Sequence, residues 1–72
     1  MNQKEFKKLI GSIGFIEVYY DIYEYKEFRI DLYYDYYFYF NGSEWFRYVS
    51  YNDLVPDLLK LSRSIKLKQL LR

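Results

Sequence analysis

The sequence predicts an α+β domain of two layers, with two helices covering one face of a three-stranded antiparallel sheet in the order helix, three strands, helix. Three observations predict it. Apolar residues near the start recur at helical spacing, the middle of the chain alternates with a period of two, and a leucine stripe at helical spacing closes the chain. Residues 1–72 form one domain, because a chain of that length has material for a single small core.

Phe6, Leu9, Ile10 and Ile13 stand at i, i+3, i+4 and i+7, with Lys4, Lys7 and Lys8 off that stripe. Asn2 suits the N-cap and Gly14 the stop. Gly11 weakens the last turn by up to about 1 kcal/mol relative to alanine, which suggests a neighbour packed close to it. From Phe15 the period changes. Ile16, Val18, Tyr20 and Ile22 alternate with Glu17, Tyr19, Asp21 and Tyr23, as expected of a half-buried strand.

After a tight connection at residues 24–26, the alternation resumes as Phe28, Ile30, Leu32, Tyr34, Tyr36, Phe38 and Phe40. That run is long for one strand, and a bend or bulge is expected at Asp35. Asn41-Gly42-Ser43 signals a hairpin, and residues 44–51 form the last strand. Pairing Ile22 with Phe28 sets Tyr20 opposite Ile30, Val18 opposite Leu32 and Asp21 opposite Arg29. If the turn is the three residues 41–43, the preferred register, Phe38 pairs with Phe46, Tyr36 with Tyr48, Tyr39 with Trp45 and Tyr37 with Arg47, whereas a two-residue turn would send Trp45 inward. The core face carries Ile16, Val18, Tyr20, Ile30, Leu32 and Phe38.

Residues 50–53 supply caps for the final helix, and Pro56 suits its first turn. Leu54, Leu58, Leu61 and Ile65 form one stripe, which Leu59, Leu67, Leu70 and Leu71 do not share. Either Ser62-Arg63-Ser64 breaks the helix in two, or a continuous helix has a second apolar side that needs a partner.

Composition narrows the function. The chain has no cysteine and no histidine, so disulfides, thiolate metal sites and imidazole ligands are excluded. With no glycine-rich phosphate loop either, catalysis lacks its usual participants, and no catalytic residue, metal or cofactor is assigned. No secretory leader is visible, and no run approaches the ~20 apolar residues needed to cross a bilayer. A soluble cytoplasmic protein is the default expectation.

The formal charge of +1 conceals a division. Residues 17–57 carry nine acids against three bases, residues 1–16 have a net charge of +2, and residues 58–72 have a net charge of +5. Eighteen residues are aromatic, eleven of them tyrosine, more than one small core can bury. Tyrosine on a surface gives large contact area at low entropy cost, which points to recognition.

The expected partner-binding face is therefore the open side of the sheet, with Tyr19, Asp21, Tyr23, Asp31, Tyr33, Asp35, Tyr37, Tyr39 and Trp45. Aromatic anchors in an acidic surround suit a protein partner with a basic surface, such as a nucleic-acid-processing effector. The alternative is direct nucleic-acid binding through Lys4, Lys7, Lys8, Lys60, Arg63, Lys66 and Lys68, with Arg72 adding to the basic end. A further alternative is a homodimer whose seam is the sheet face or the second leucine side.

The opening Phe6-Lys7-Lys8-Leu9-Ile10, followed by Ile13-Gly14-Phe15, resembles the start of HicA-type toxins, which share their element order with double-stranded-RNA-binding domains. The catalytic histidine of those toxins has no counterpart here, and Asp53 and Asp57 stand where the RNA-binding domains cluster lysines. In its small size, acidic sheet and lack of catalytic apparatus, the chain resembles the phage- and mobile-element-encoded inhibitors of the anti-CRISPR type. That resemblance implies stoichiometric inhibition of a host protein.

Overall fold

The computed structural model describes residues 2–70, so Leu71 and Arg72 lie outside it. The elements are α1 (Gln3–Ile13), β1 (Ile16–Tyr19), β2 (Ile22–Tyr25), β3 (Phe28–Leu32), β4 (Tyr37–Phe40), β5 (Trp45–Tyr48) and α2 (Tyr51–Leu70). The α+β class stands, but the sheet has five strands, not three, in the order β1-β2-β3-β4-β5 with every neighbouring pair antiparallel. Both expected long strands are hairpins. The first reverses at Tyr20 and Asp21, and the second at residues 33–36, in place of the expected bend or bulge at Asp35.

These reversals decide which side chains face inward. Residues directly opposite each other on antiparallel strands share a face, so a hairpin loop with an even number of residues exchanges odd and even positions. The turn at Lys26 and Glu27, with Lys26 at φ 53°, pairs Tyr25 with Phe28 and Tyr23 with Ile30, where Ile22 opposite Phe28 was expected. The loop at 33–36 pairs Ile30 with Tyr39 and Leu32 with Tyr37. The loop at 41–44 pairs Tyr39 with Phe46 and Phe40 with Trp45, one residue away from the expected register. Asn41 fixes this last loop, its Oδ1 accepting from the amides of Ser43 at 3.0 Å and Glu44 at 2.8 Å.

The helix-facing side of the sheet therefore carries Tyr23, Ile30, Leu32, Tyr37 and Tyr39. Phe6, Ile10, Phe15, Leu54 and Leu58 close over it. Ile16, Val18 and Tyr20, expected in the core, are exposed (69%, 50% and 82%). A column of rings joins three elements: Phe6 stacks on Tyr51 at 4.5 Å, and Tyr51 stacks on Tyr37 at 4.3 Å.

α1 is capped as its sequence suggests, with Asn2 Oδ1 accepting from the Glu5 amide at 2.8 Å. α2 runs unbroken through Ser62-Arg63-Ser64. It begins early enough to place Pro56 in its second turn, where the hydrogen bond forgone is the one to the exposed Asn52. Leu54, Leu58, Leu61 and Ile65 face inward as a stripe, while Leu59 and Leu67 remain exposed. Among the described residues, no helix is long and apolar enough to cross a membrane.

Two glycines in one helix end have opposite roles. Gly14 has φ 129°, and a Cβ there would meet the Tyr25 ring at 2.7 Å. Gly11 has nothing within 4 Å of the same addition, contrary to the expected close neighbour. Gly14→Ala is expected to cost about 1–3 kcal/mol, whereas Gly11→Ala should stabilise by about 0.5–1 kcal/mol. Urea unfolding of both variants checks the pair. Equal effects would contradict this assignment.

Candidate functional site

The helix-free face of the sheet holds a continuous aromatic ladder. Tyr33 and Tyr36, in the β3–β4 loop, stack at 5.2 Å, and both meet Phe38, at 5.6 and 5.4 Å. Phe38 meets Trp45 edge-on at 6.2 Å, and Trp45 lies 5.1 Å from its cross-strand partner Phe40. Arg47 places its guanidinium carbon 4.7 Å over the Tyr36 ring. Tyr33 and Trp45 are half exposed (49% and 50%).

Charges on this face largely satisfy one another. Arg29 Nε donates to Asp31 Oδ1 at 2.7 Å, and Arg29 Nη1 lies 3.9 Å from Glu24 Oε2. Asp31 is buried beneath that contact. Glu27, Asp35 and Glu44 are exposed at the margins and pair with no base among the described residues.

Beside the ladder, at the end of the sheet carrying the β1–β2 turn and the β3–β4 loop, a cleft of about 630 Å³ opens. Tyr20, Asp21, Leu32, Tyr33, Tyr34, Tyr37, Tyr51 and Gln3 line it. Asp21 has φ 57°, a conformation that aspartate tolerates better than most residues. Its backbone is held on both sides. The amide donates to Glu17 Oε2 at 3.0 Å, and the carbonyl accepts from the Leu32 amide at 2.9 Å. Lys7 Nζ lies 3.2 Å from Asp21 Oδ1, and this carboxylate holds the Lys7 ammonium above the usual lysine range.

The nine expected face residues thus separate into groups. Trp45 and Tyr33 belong to the exposed ladder, while Asp21, Tyr33 and Tyr37 line the cleft. Asp35 is exposed in the same loop as Tyr33, and Tyr19 is exposed at the sheet edge. Tyr23 and Tyr39 are core residues, 8% and 4% exposed, because the even-length turns exchange the two faces. Asp31 is covered by Arg29.

The residues that reasoning from sequence missed are Tyr20, Tyr34, Tyr36, Phe38, Phe40 and Tyr51. Glu24 was the available signal, because it shares a phase with Ile22 and argued against that phase facing the core. Among the alternative basic residues, Lys7 is taken by Asp21, and Lys68 lies beside the β2–β3 turn. Lys4, Lys8, Lys60, Arg63 and Lys66 are exposed. Among the described residues, no three His, Cys, Asp or Glu side chains gather as metal ligands.

The buried tyrosines make stability sensitive to alkali. Burial pushes Tyr39 and Tyr51 up to about 12, and the Tyr37 hydroxyl beside Tyr51 adds to the effect there. Burial also raises Tyr48, helped by Asp57, whose Oδ2 accepts from the Tyr48 hydroxyl. Unfolded tyrosine releases its proton near pH 10, so above that pH the unfolded chain holds fewer protons than the fold. The stability contributed by the neutral phenols is complete below pH ~10 and lost as pH rises towards ~12. A cooperative rise in tyrosinate absorbance together with loss of circular dichroism is expected in that window. Gradual ionisation of all eleven tyrosines with the fold intact would contradict it.

No protein-family model, curated protein or solved structure matches the chain.

Proposed function

We propose that this protein is a non-catalytic protein-binding module, a stoichiometric inhibitor of the kind phages and mobile elements encode, which docks its aromatic sheet face on a basic surface of a host protein. The observation that carries the reading is the ladder Tyr33–Tyr36–Phe38–Trp45–Phe40, a contiguous aromatic surface on a face that neither helix covers. A small protein holds such a patch in water at a cost in solubility, and rigid aromatic anchors are the usual hot spots of protein interfaces.

Charge supports the basic character of the partner. Residues 16–48 carry seven acids against three bases, a net of −4, and several of those acids stand free at the margin of the ladder. A surface that contacts nucleic acid is complementary to this arrangement, and the inhibitor would occlude it.

The reading is tested by affinity capture from host lysate with the tagged full chain, with and without nuclease. A discrete protein recovered at near-equal stoichiometry after nuclease treatment is the expected result. Recovery that disappears with nuclease would favour nucleic-acid binding, and recovery of the chain alone would favour self-association.

A further inference from the structure

We infer that the tyrosine-lined cleft is a cation site that receives the guanidinium of an arginine side chain, with Asp21 as its carboxylate and tyrosine rings as its walls. The inference rests on the protein-binding reading only in naming a partner protein as the source of the arginine.

The chemistry follows from what lines the cleft. Tyr20, Tyr33, Tyr34 and Tyr37 offer ring faces, Tyr51 is stacked between Phe6 and Tyr37 and offers only its edge and hydroxyl, and Asp21 is the single acid among the lining residues. A ring face carries negative potential and attracts a cation placed over it. Guanidinium suits such a place better than ammonium, because it is planar, weakly hydrated and able to fork onto a carboxylate while stacking on a ring. The protein uses both contacts within its own fold. Arg47 lies over Tyr36 at 4.7 Å, and Arg29 bonds Asp31 at 2.7 Å.

The carboxylate is also set in advance. Asp21 is fixed in the left-handed region by its amide and carbonyl bonds, and its Oδ1 is buried against the Lys7 ammonium with no other polar partner among the described residues. The neighbouring base is Lys7, an ion pair at 3.2 Å whose side chain is 38% exposed and free to withdraw into water. Tyr20 and Tyr34 stand 82% and 97% exposed, so the rings at the mouth are uncommitted in the free protein. With about 630 Å³, the cleft has room for an arginine side chain and its flanking backbone.

The test is an NMR titration of the full-length protein with N-acetyl-arginine methylamide, against the citrulline analogue, which keeps the shape and loses the charge. Saturable shifts confined to the cleft residues are expected with arginine, and none with citrulline. Asp21→Asn keeps a residue that tolerates the left-handed backbone, and should weaken binding about fivefold, the size of one partly exposed ion pair. Lys7→Gln should strengthen binding, since it frees the carboxylate. Shifts scattered over Glu24, Glu27 and Glu44, equal responses to citrulline, or indifference to Asp21→Asn would overturn the site. If arginine fails while lysate capture still depends on the ladder, the cleft falls and the protein-binding reading survives. If arginine binds as described and capture yields no protein, a protein source for the arginine is overturned.

Discussion

Phe6→Ala is expected to destabilise the fold by about 3–5 kcal/mol, because it removes a fully buried aromatic side chain and leaves a cavity. The loss is concentrated by position. Phe6 stacks on Tyr51, and Tyr51 on Tyr37, so one deletion loosens α1, α2 and β4 together. There is no disulfide to hold the remainder. A domain this small has about 4–11 kcal/mol in total, so the variant should be partly unfolded at 37 °C. Thermal unfolding should show a midpoint lowered by at least about 12 °C. A midpoint within a few degrees of wild type would mean that the column is not a central support.

The second large effect concerns binding, not folding. Phe40→Thr with Trp45→Thr removes one cross-strand aromatic pair from the ladder and keeps β-branched residues in both strands. The cost to stability should be about 1–2 kcal/mol from lost cross-strand contact. Partner affinity should fall at least about a hundredfold, as expected when two hot-spot side chains are lost. Circular dichroism and a binding isotherm on the same preparation separate the two effects. Unchanged affinity would place the docking surface elsewhere.

Much of the local structure could be read from the residues. The α1 stripe and the inward side of α2 follow from the spacing of their apolar residues, and the Asn2 cap and Gly14 end follow from residue type. The strands were harder for a physical reason. Tyrosine serves on either face of a sheet, so a chain reading Tyr33-Tyr34-Asp35-Tyr36-Tyr37 gives no firm phase. The reversals at Tyr20-Asp21 and at residues 33–36 also lack the Asn-Gly or Asp-Gly pair that marks a tight hairpin.

The even-length turn at Lys26 and Glu27 and the even-length loop at 33–36 each exchanged the faces, whereas a register shift between Glu17 and Tyr19 offsets the reversal at Tyr20-Asp21. That is how Tyr23 and Tyr39 came to lie in the core, and Phe38 and Phe40 on the open side. Trp45 lies on the open face, as its phase in the sequence suggests, because the even-length loops at 33–36 and 41–44 exchange the faces twice and so cancel. The cleft was not legible at all. It is assembled from two turns and the starts of two helices, which come together only when the five-stranded meander is built.

Trp45 is the sole tryptophan, which gives the ladder a single reporter. The most direct measurement is the ¹⁹F spectrum of the protein carrying 5-fluorotryptophan at that position, recorded as the captured, unlabelled partner is added. One resonance is expected, which moves to a new position at equimolar partner and does not move when the free protein is diluted. A resonance unchanged across formation of a stoichiometric complex would show that the aromatic face stays in water, and would contradict the proposal at its centre.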